Sequence, residues 1–143
     1  MLLCDFHIHT KYSDGSIELK KVIDIYGQAG FDAIAITDHV VNGDSSIGKL
    51  AHRFKYTVKE ENFREYMDAI EFESARAWSK YGMLVISGIE ISKNYISSDR
   101  SAHILLLDLK EFVSASWDYE RIFLEARKQD ALVVACHRTP CRT

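Results

Sequence analysis

Histidine and carboxylate side chains recur in this sequence at the ends of apolar runs, where polar groups can face a shared cavity. His7-Ile8-His9 sets two imidazoles on the same side of an extended segment. Their backbones lie roughly 6–7 Å apart, near enough for both rings to converge on one ion. Thr37-Asp38-His39 closes the run Ala33-Ile34-Ala35-Ile36. Alternation sends Thr37 and His39 to one face and Asp38 to the other. His39 is therefore the ligand candidate, and Asp38 either orients a loop or caps the next segment. Glu90 sits between Ile89 and Ile91 after Met83-Leu84-Val85-Ile86-Ser87-Gly88. A buried lone carboxylate is costly, so it must be paired, protonated or metal-bound; its two oxygens can bridge two cations.

His103 opens Ile104-Leu105-Leu106-Leu107, His137 follows Leu132-Val133-Val134-Ala135-Cys136, and Asp14 lies in the turn after His9. Each alone has a plainer explanation: a core histidine satisfied by the backbone, or an ordinary turn aspartate. Five histidines and two acids at strand edges are hard to account for as packing. Neutral imidazole and carboxylate are donors for zinc, manganese or iron. His52 adjoins no apolar strand and reads as solvated.

The elements that must position these groups alternate between strand-like and helix-like. Leu2 to His9 alternates, placing Leu3, Asp5, His7 and His9 on one face. Ser16 is expected to cap a helix with Val22, Ile23, Tyr26 and Ala29 on one side and Gly30 as its stop. Ala33 to Thr37 is the next strand. Thr57 and Glu60 have capping-box spacing ahead of a helix expected to turn Phe63, Met67, Ile70 and Trp78 inward. Met83 to Ile91, Ala102 to Leu107 and Leu132 to His137 read as strands, the last two separated by a helix capped by Ser116. Nearly continuous apolar strands with intervening helices predict a mostly parallel α/β architecture. In such sheets active sites form at the carboxyl ends of the strands. His7, His9, Asp38, His39, Glu90 and His137 meet that rule; His103, at the start of its run, fits it least.

Composition narrows the function classes. With 143 residues, 47% hydrophobic and only one Pro, the chain suits a single soluble domain able to bury a real core. A net charge of −3 argues against broad nucleic-acid binding, which needs surplus cations to neutralise phosphates. No apolar run approaches the ~20 residues of a membrane span. Met1-Leu2-Leu3-Cys4-Asp5 lacks a signal peptide's basic flank and apolar stretch. Three cysteines, an odd number, fit a reducing compartment, so a cytoplasmic location is expected. Cys4 and Cys136 read as packing residues, and Cys141 as exposed.

Asp5-Phe6-His7-Ile8-His9-Thr10, Ser13-Asp14-Gly15, Thr37-Asp38-His39, Gly88-Ile89-Glu90, Ala102-His103-Ile104 and Ala135-Cys136-His137 together resemble the ordered motifs of the PHP (polymerase and histidinol phosphatase) superfamily. The resemblance covers essentially the whole chain, and its specificity lies in six motifs falling in order. It implies a distorted seven-stranded (β/α) barrel with up to three metals at its mouth. Family members include histidinol-phosphate phosphatases, other phosphoesterases and polymerase-associated domains. By position, it implies His7, His9 and Glu90 at one metal, with Glu90 bridging to a second held by His103 and His137. Asp14 and His39 would serve a third. The family usually ends with an Asp-x-His motif, which the six residues after His137 do not contain. About five of seven strands are legible. The chain is therefore expected to be a single, C-terminally truncated or split PHP-like domain spanning residues 1–143, or one completed by a partner.

The resemblance implies hydrolysis of a small phosphate monoester or diester by metal-activated water, with two or three divalent ions (Zn, Mn or Fe) per chain. Glu90, Asp14 and His39 are the residues expected to carry that step. Arg138 could contact the phosphate through its planar donor fork, or be a solvated loop residue; Lys49, Arg53 and Lys55 have the same two readings. Open sheet edges would favour a homo-oligomer or a covering partner chain. Two other functions remain: a non-catalytic metal-binding domain acting as a structural or regulatory partner, and hydrolysis of another bond, such as an amide, at the same centre.

Overall fold

Ile34, Ile36 and Val40 alternate with Ala35, Thr37 and His39, a pattern that buries one face of a strand and offers the other to a site. The computed structural model describes residues 1–42, 57–93 and 102–137, the His137 side chain excepted. In chain order its elements are β1 (Cys4–Ile8), α1 (Leu19–Gln28), β2 (Ala33–Val41), α2 (Glu60–Tyr81), β3 (Leu84–Lys93), β4 (Ala102–Leu107), α3 (Tyr119–Lys128) and β5 (Leu132–His137). The strands form one sheet in the order β1-β2-β3-β4-β5, curled into a half-barrel as expected of an incomplete PHP-type barrel.

β1, β2 and β3 are mutually parallel, but β4 runs antiparallel to β3 and β5 antiparallel to β4. The sheet is thus mixed rather than mostly parallel. Chain length between strands explains it. Only residues 94–101 join β3 to β4, whereas a parallel crossover needs about a dozen residues or more.

Ile34, Ile36, Ile89, Ile91 and Leu106 are fully buried in the cluster that also takes in Ile23, Ile70 and Ile122 from the helices. Each such side chain contributes about 1.5–3 kcal/mol by leaving water. Ala35, Leu105 and Leu107 form a second, smaller cluster. By strand alternation it lies on the face turned away from the helices.

Helix ends differ from expectation. Glu18 rather than Ser16 precedes α1. Lys59 precedes α2, its backbone N–H donating to Asn62 Oδ1 at 2.6 Å, so Thr57 is not the cap. Asp118, not Ser116, caps α3 by accepting from the Arg121 N–H at 2.7 Å. The buried stripe of α2 is Phe63, Tyr66, Ile70, Glu73 and Ala77. Trp78, one residue beyond this stripe, is 66% exposed instead of inward. Arg76 locks α2 to α1 through Asp24 at 2.7 Å while also pairing with Glu73 at 2.6 Å. Among the described residues no helix is long and apolar enough to cross a membrane.

Candidate metal centre

β3 is the middle strand, and Glu90 projects from it on the helix-free side, register-paired with His39 of β2. The carboxylate is 1% exposed and is ringed by imidazoles. His7 Nε2, His9 Nε2 and His39 Nδ1 lie 3.0, 2.9 and 3.2 Å from Oε2, and His103 Nδ1 contacts Oε1. Asp14 extends the arc: Oδ1 is 2.8 Å from His9 Nδ1 and Oδ2 is 3.6 Å from His39 Nε2. The His9 and His39 ring centroids are 4.3 Å apart.

Three features of the backbone assemble this cluster. The first is an irregularity in β1. Asp5 pairs with Ile34 and Ile8 with Ile36, so two residues of β1 oppose one of β2. Such a bulge reverses the alternation. Asp5 therefore accepts from the Tyr26 hydroxyl of α1 at 2.8 Å, while His7 and His9 reach Glu90. The expected common face of Asp5, His7 and His9 is broken at that point.

The second is the reversed direction of β4. Its amino-terminal end lies at the carboxyl end of β3, with His103 opposite Ser92. His103, although it opens its own strand, thus lies at the same sheet edge as Glu90.

The third is the loop after β1. Asp38, fully buried on the helix side, accepts from Thr10 N–H at 2.7 Å, the Thr10 hydroxyl at 2.8 Å and the Ser13 hydroxyl at 2.6 Å. It orients a loop, as one of its two sequence readings has it. Gly15 lets that loop fold back, since a Cβ there would lie 2.6 Å from the His9 carbonyl. Asp14 is delivered between them.

The electrostatics follow from this crowding. Burial opposes charge on Glu90, yet His103, His9, His39 and His7 outweigh it and hold the carboxyl well below the usual range. Burial also opposes charge on His9, but Glu90 and Asp14 raise its pKa to about 9. At His39 burial prevails and lowers the pKa. Asp14 is lowered despite burial by His9 and His39, whereas burial raises Asp38 in spite of its donors.

The donor set fits divalent ions. His7, His9 and Glu90; His9, Asp14 and His39; and His39, Glu90 and His103 each bring three ligand atoms within 4.8 Å of one another. His9 Nε2 is buried with no well-directed hydrogen-bond partner, a ring nitrogen that a metal would satisfy once deprotonated. Among the described residues no Lys or Arg is paired with Glu90.

Of the residues singled out in the sequence, His7, His9, Asp14, His39, Glu90 and His103 come together here. The backbone of His137 is paired with His103 across β4 and β5; its side chain, and Arg138, His52, Lys49, Arg53, Lys55 and Cys141, lie outside the described residues. Ser92 is an addition, its hydroxyl 2.6 Å from His39 Nδ1. It stands two residues after Glu90 on the same strand face, a spacing that could have revealed it. Cys4 is exposed rather than packed.

The PHP domain model matches residues 5–134. No curated protein matches this sequence. A solved two-domain protein from Bacteroides vulgatus ATCC 8482, containing a predicted PHP-like metal-dependent phosphoesterase, is 26% identical, with a TM-score of 0.63 over 92% of this chain and 34% of its own. A putative metal-dependent phosphoesterase from Bifidobacterium adolescentis is 22% identical, with a TM-score of 0.44 over 75% of this chain and 28% of its own. An amidohydrolase from Chromobacterium violaceum is 19% identical, with a TM-score of 0.46 over 87% of this chain and 32% of its own. This chain therefore spans about a third of the length of the solved structures it resembles. The family match over residues 5–134, with its motif residues gathered around Glu90, establishes that the chain belongs to the PHP domain family.

Proposed function

We propose that this chain is the metal-binding part of a phosphoesterase that cleaves a small phosphate monoester or diester. One observation carries the reading: a buried carboxylate, Glu90, met by imidazoles from three different strands or their ends. Such a carboxylate is costly to bury for packing alone and well suited to sharing ions. His7, His9 and Glu90 would hold one ion; His39 and His103 would join Glu90 at a second; Asp14 with His9 and His39 would hold a third. Divalent ions at these positions supply positive charge for the phosphate oxygens and a bound water of lowered pKa.

The chain's own groups do the rest. Glu90 fixes the spacing of the donor sets through its two oxygens. Ser92 and Asp14 orient His39 from opposite ring nitrogens. Asp14, with its side chain 58% exposed, would be the donor most open to an incoming substrate. Arg138 is the candidate phosphate contact from the segment after β5. Zinc, manganese and iron all suit this donor chemistry, and the free thiols of Cys4 and Cys136 suit a reducing cytoplasm.

Elemental analysis of the purified chain, paired with turnover of p-nitrophenyl phosphate in added manganese or zinc, tests the proposal. Two or three ions per chain and metal-dependent turnover are expected. Stoichiometric metal with no turnover across phosphoesters would instead favour a non-catalytic metal-binding domain. Turnover of acylated compounds in place of phosphoesters would point to amide-type hydrolysis.

A further inference from the structure

The three donor sets overlap in their histidines. His9 stands with His7 and Glu90 and again with Asp14 and His39, and His39 stands once more with Glu90 and His103. A neutral imidazole carries a proton on one ring nitrogen and a lone pair on the other, so it serves one ion at a time. Serving two at once would require the ring to lose its second proton as well, a far costlier ionisation. A carboxylate escapes this limit, because its two oxygens can meet two cations.

The two sets that contain Glu90 have no histidine in common: His7 and His9 belong to one, His39 and His103 to the other. Both can be filled together. The Asp14 set takes one histidine from each of them, so it fills only at their expense. Burial decides between these two states. Glu90 is 1% exposed, whereas the Asp14 side chain is 58% exposed. Attraction to a buried charge is screened less than attraction to a solvated one, so the Glu90 sets win the ions.

The contacts of His9 already fit this division. Its Nδ1 is hydrogen-bonded to Asp14 Oδ1 at 2.8 Å. Its Nε2 is buried, 2.9 Å from Glu90 Oε2 but not well directed at it. A proton held on the Asp14 side leaves the lone pair on the Glu90 side. A carboxylate that accepts the outer N–H of a metal-binding histidine fixes its tautomer and makes the inner nitrogen a stronger donor.

We infer that Asp14 is a positioning residue, the acceptor of the His9 Nδ1 proton, and that the centre holds two ions on Glu90 with the Asp14 set as their alternative rather than a third companion. The inference rests on the metal-dependent phosphoesterase reading and narrows its count of ions.

Zinc binding to the metal-free 143-residue chain, followed by calorimetry and elemental analysis, tests it. The unmodified chain should saturate at two ions. Asp14→Ala should still saturate at two, with the affinity for one of them lowered about 10–100-fold. Asp14→Asn, whose amide oxygen still accepts from Nδ1, should recover much of that loss. Glu90→Gln, which releases His9 and His39 to the Asp14 set, should take up one ion. In the zinc-loaded chain labelled with ¹⁵N-histidine, NMR should find the His9 proton on Nδ1. Three ions in the unmodified chain, falling to two in both Asp14 variants, overturn the inference and spare the phosphoesterase reading. A zinc-loaded His9 with no proton on either nitrogen does the same. A chain that binds no zinc overturns the reading and the inference together.

Discussion

Replacing Glu90 with Gln removes one charge and almost no volume, so the fold should tolerate it while the donor sets do not. Glu90 belongs to two of the three sets, through Oε2 with His7 and His9 and through Oε1 and Oε2 with His103 and His39. It is the only anion in both. The set formed by His9, Asp14 and His39 keeps its carboxylate. Loss of a group that merely orients a ligand weakens metal binding about 10–100-fold. Loss of a shared anionic ligand should weaken it by at least about 100-fold, or about 2.7 kcal/mol. Elemental analysis after dialysis should therefore find Glu90→Gln depleted, retaining at most the ion of the Asp14 set. Glu73→Gln is the comparison, because Glu73 is also buried but pairs with Arg76 on α2, away from the imidazoles. Circular dichroism should show both variants folded. Equal metal content in the two would refute the shared-carboxylate argument.

Asp38→Ala should cost about 3 kcal/mol of unfolding free energy, read by urea titration, because a buried backbone N–H and two hydroxyls lose their acceptor. A change under 1 kcal/mol, as ~1 kcal/mol is the size of one ordinary hydrogen bond, would show that the Thr10–Ser13 loop is held by other contacts. Burial and the hydrogen bond to Asp5 raise the Tyr26 pKa to about 12, above its value of about 10 in the unfolded chain. The folded state thus keeps a proton that the unfolded state releases. The stabilisation is complete below pH ~10 and is lost as pH rises towards 12. The stability advantage of the unmodified chain over Tyr26→Phe should shrink across that window, and a pH-independent difference would contradict it. Finally, among the described residues β1 and β5 are the two edges of the sheet, and Leu3, Phe6, Leu132 and Val134 near or on them are exposed. Light scattering on the isolated chain should show association, as unprotected edges favour it; a monomer at high concentration would mean the edges are covered.

The types and positions of the chemistry-bearing residues were legible in the sequence. His7, His9, His39 and Glu90 stand out because each interrupts or ends an apolar run, where desolvation makes a polar side chain expensive unless it has a task. The same runs marked every strand, and β4 and β5 kept their expected bounds. Helix caps were less legible, since Ser16, Thr57 and Ser116 are as able to cap as the residues actually used, and tertiary packing selects among neighbours.

What the tertiary structure alone decided was direction and face. Alternation along one strand tells which residues share a side, but a bulge resets that count, and only pairing with β2 reveals the one that separates Asp5 from His7 and His9. Strand direction likewise depends on which neighbour the chain finds. The sequence therefore determined that imidazoles and carboxylates would line one edge of a sheet. The antiparallel return of β4 decided that His103 would join them, because hydrogen-bonded pairing, and not local propensity, sets which end of a strand meets which.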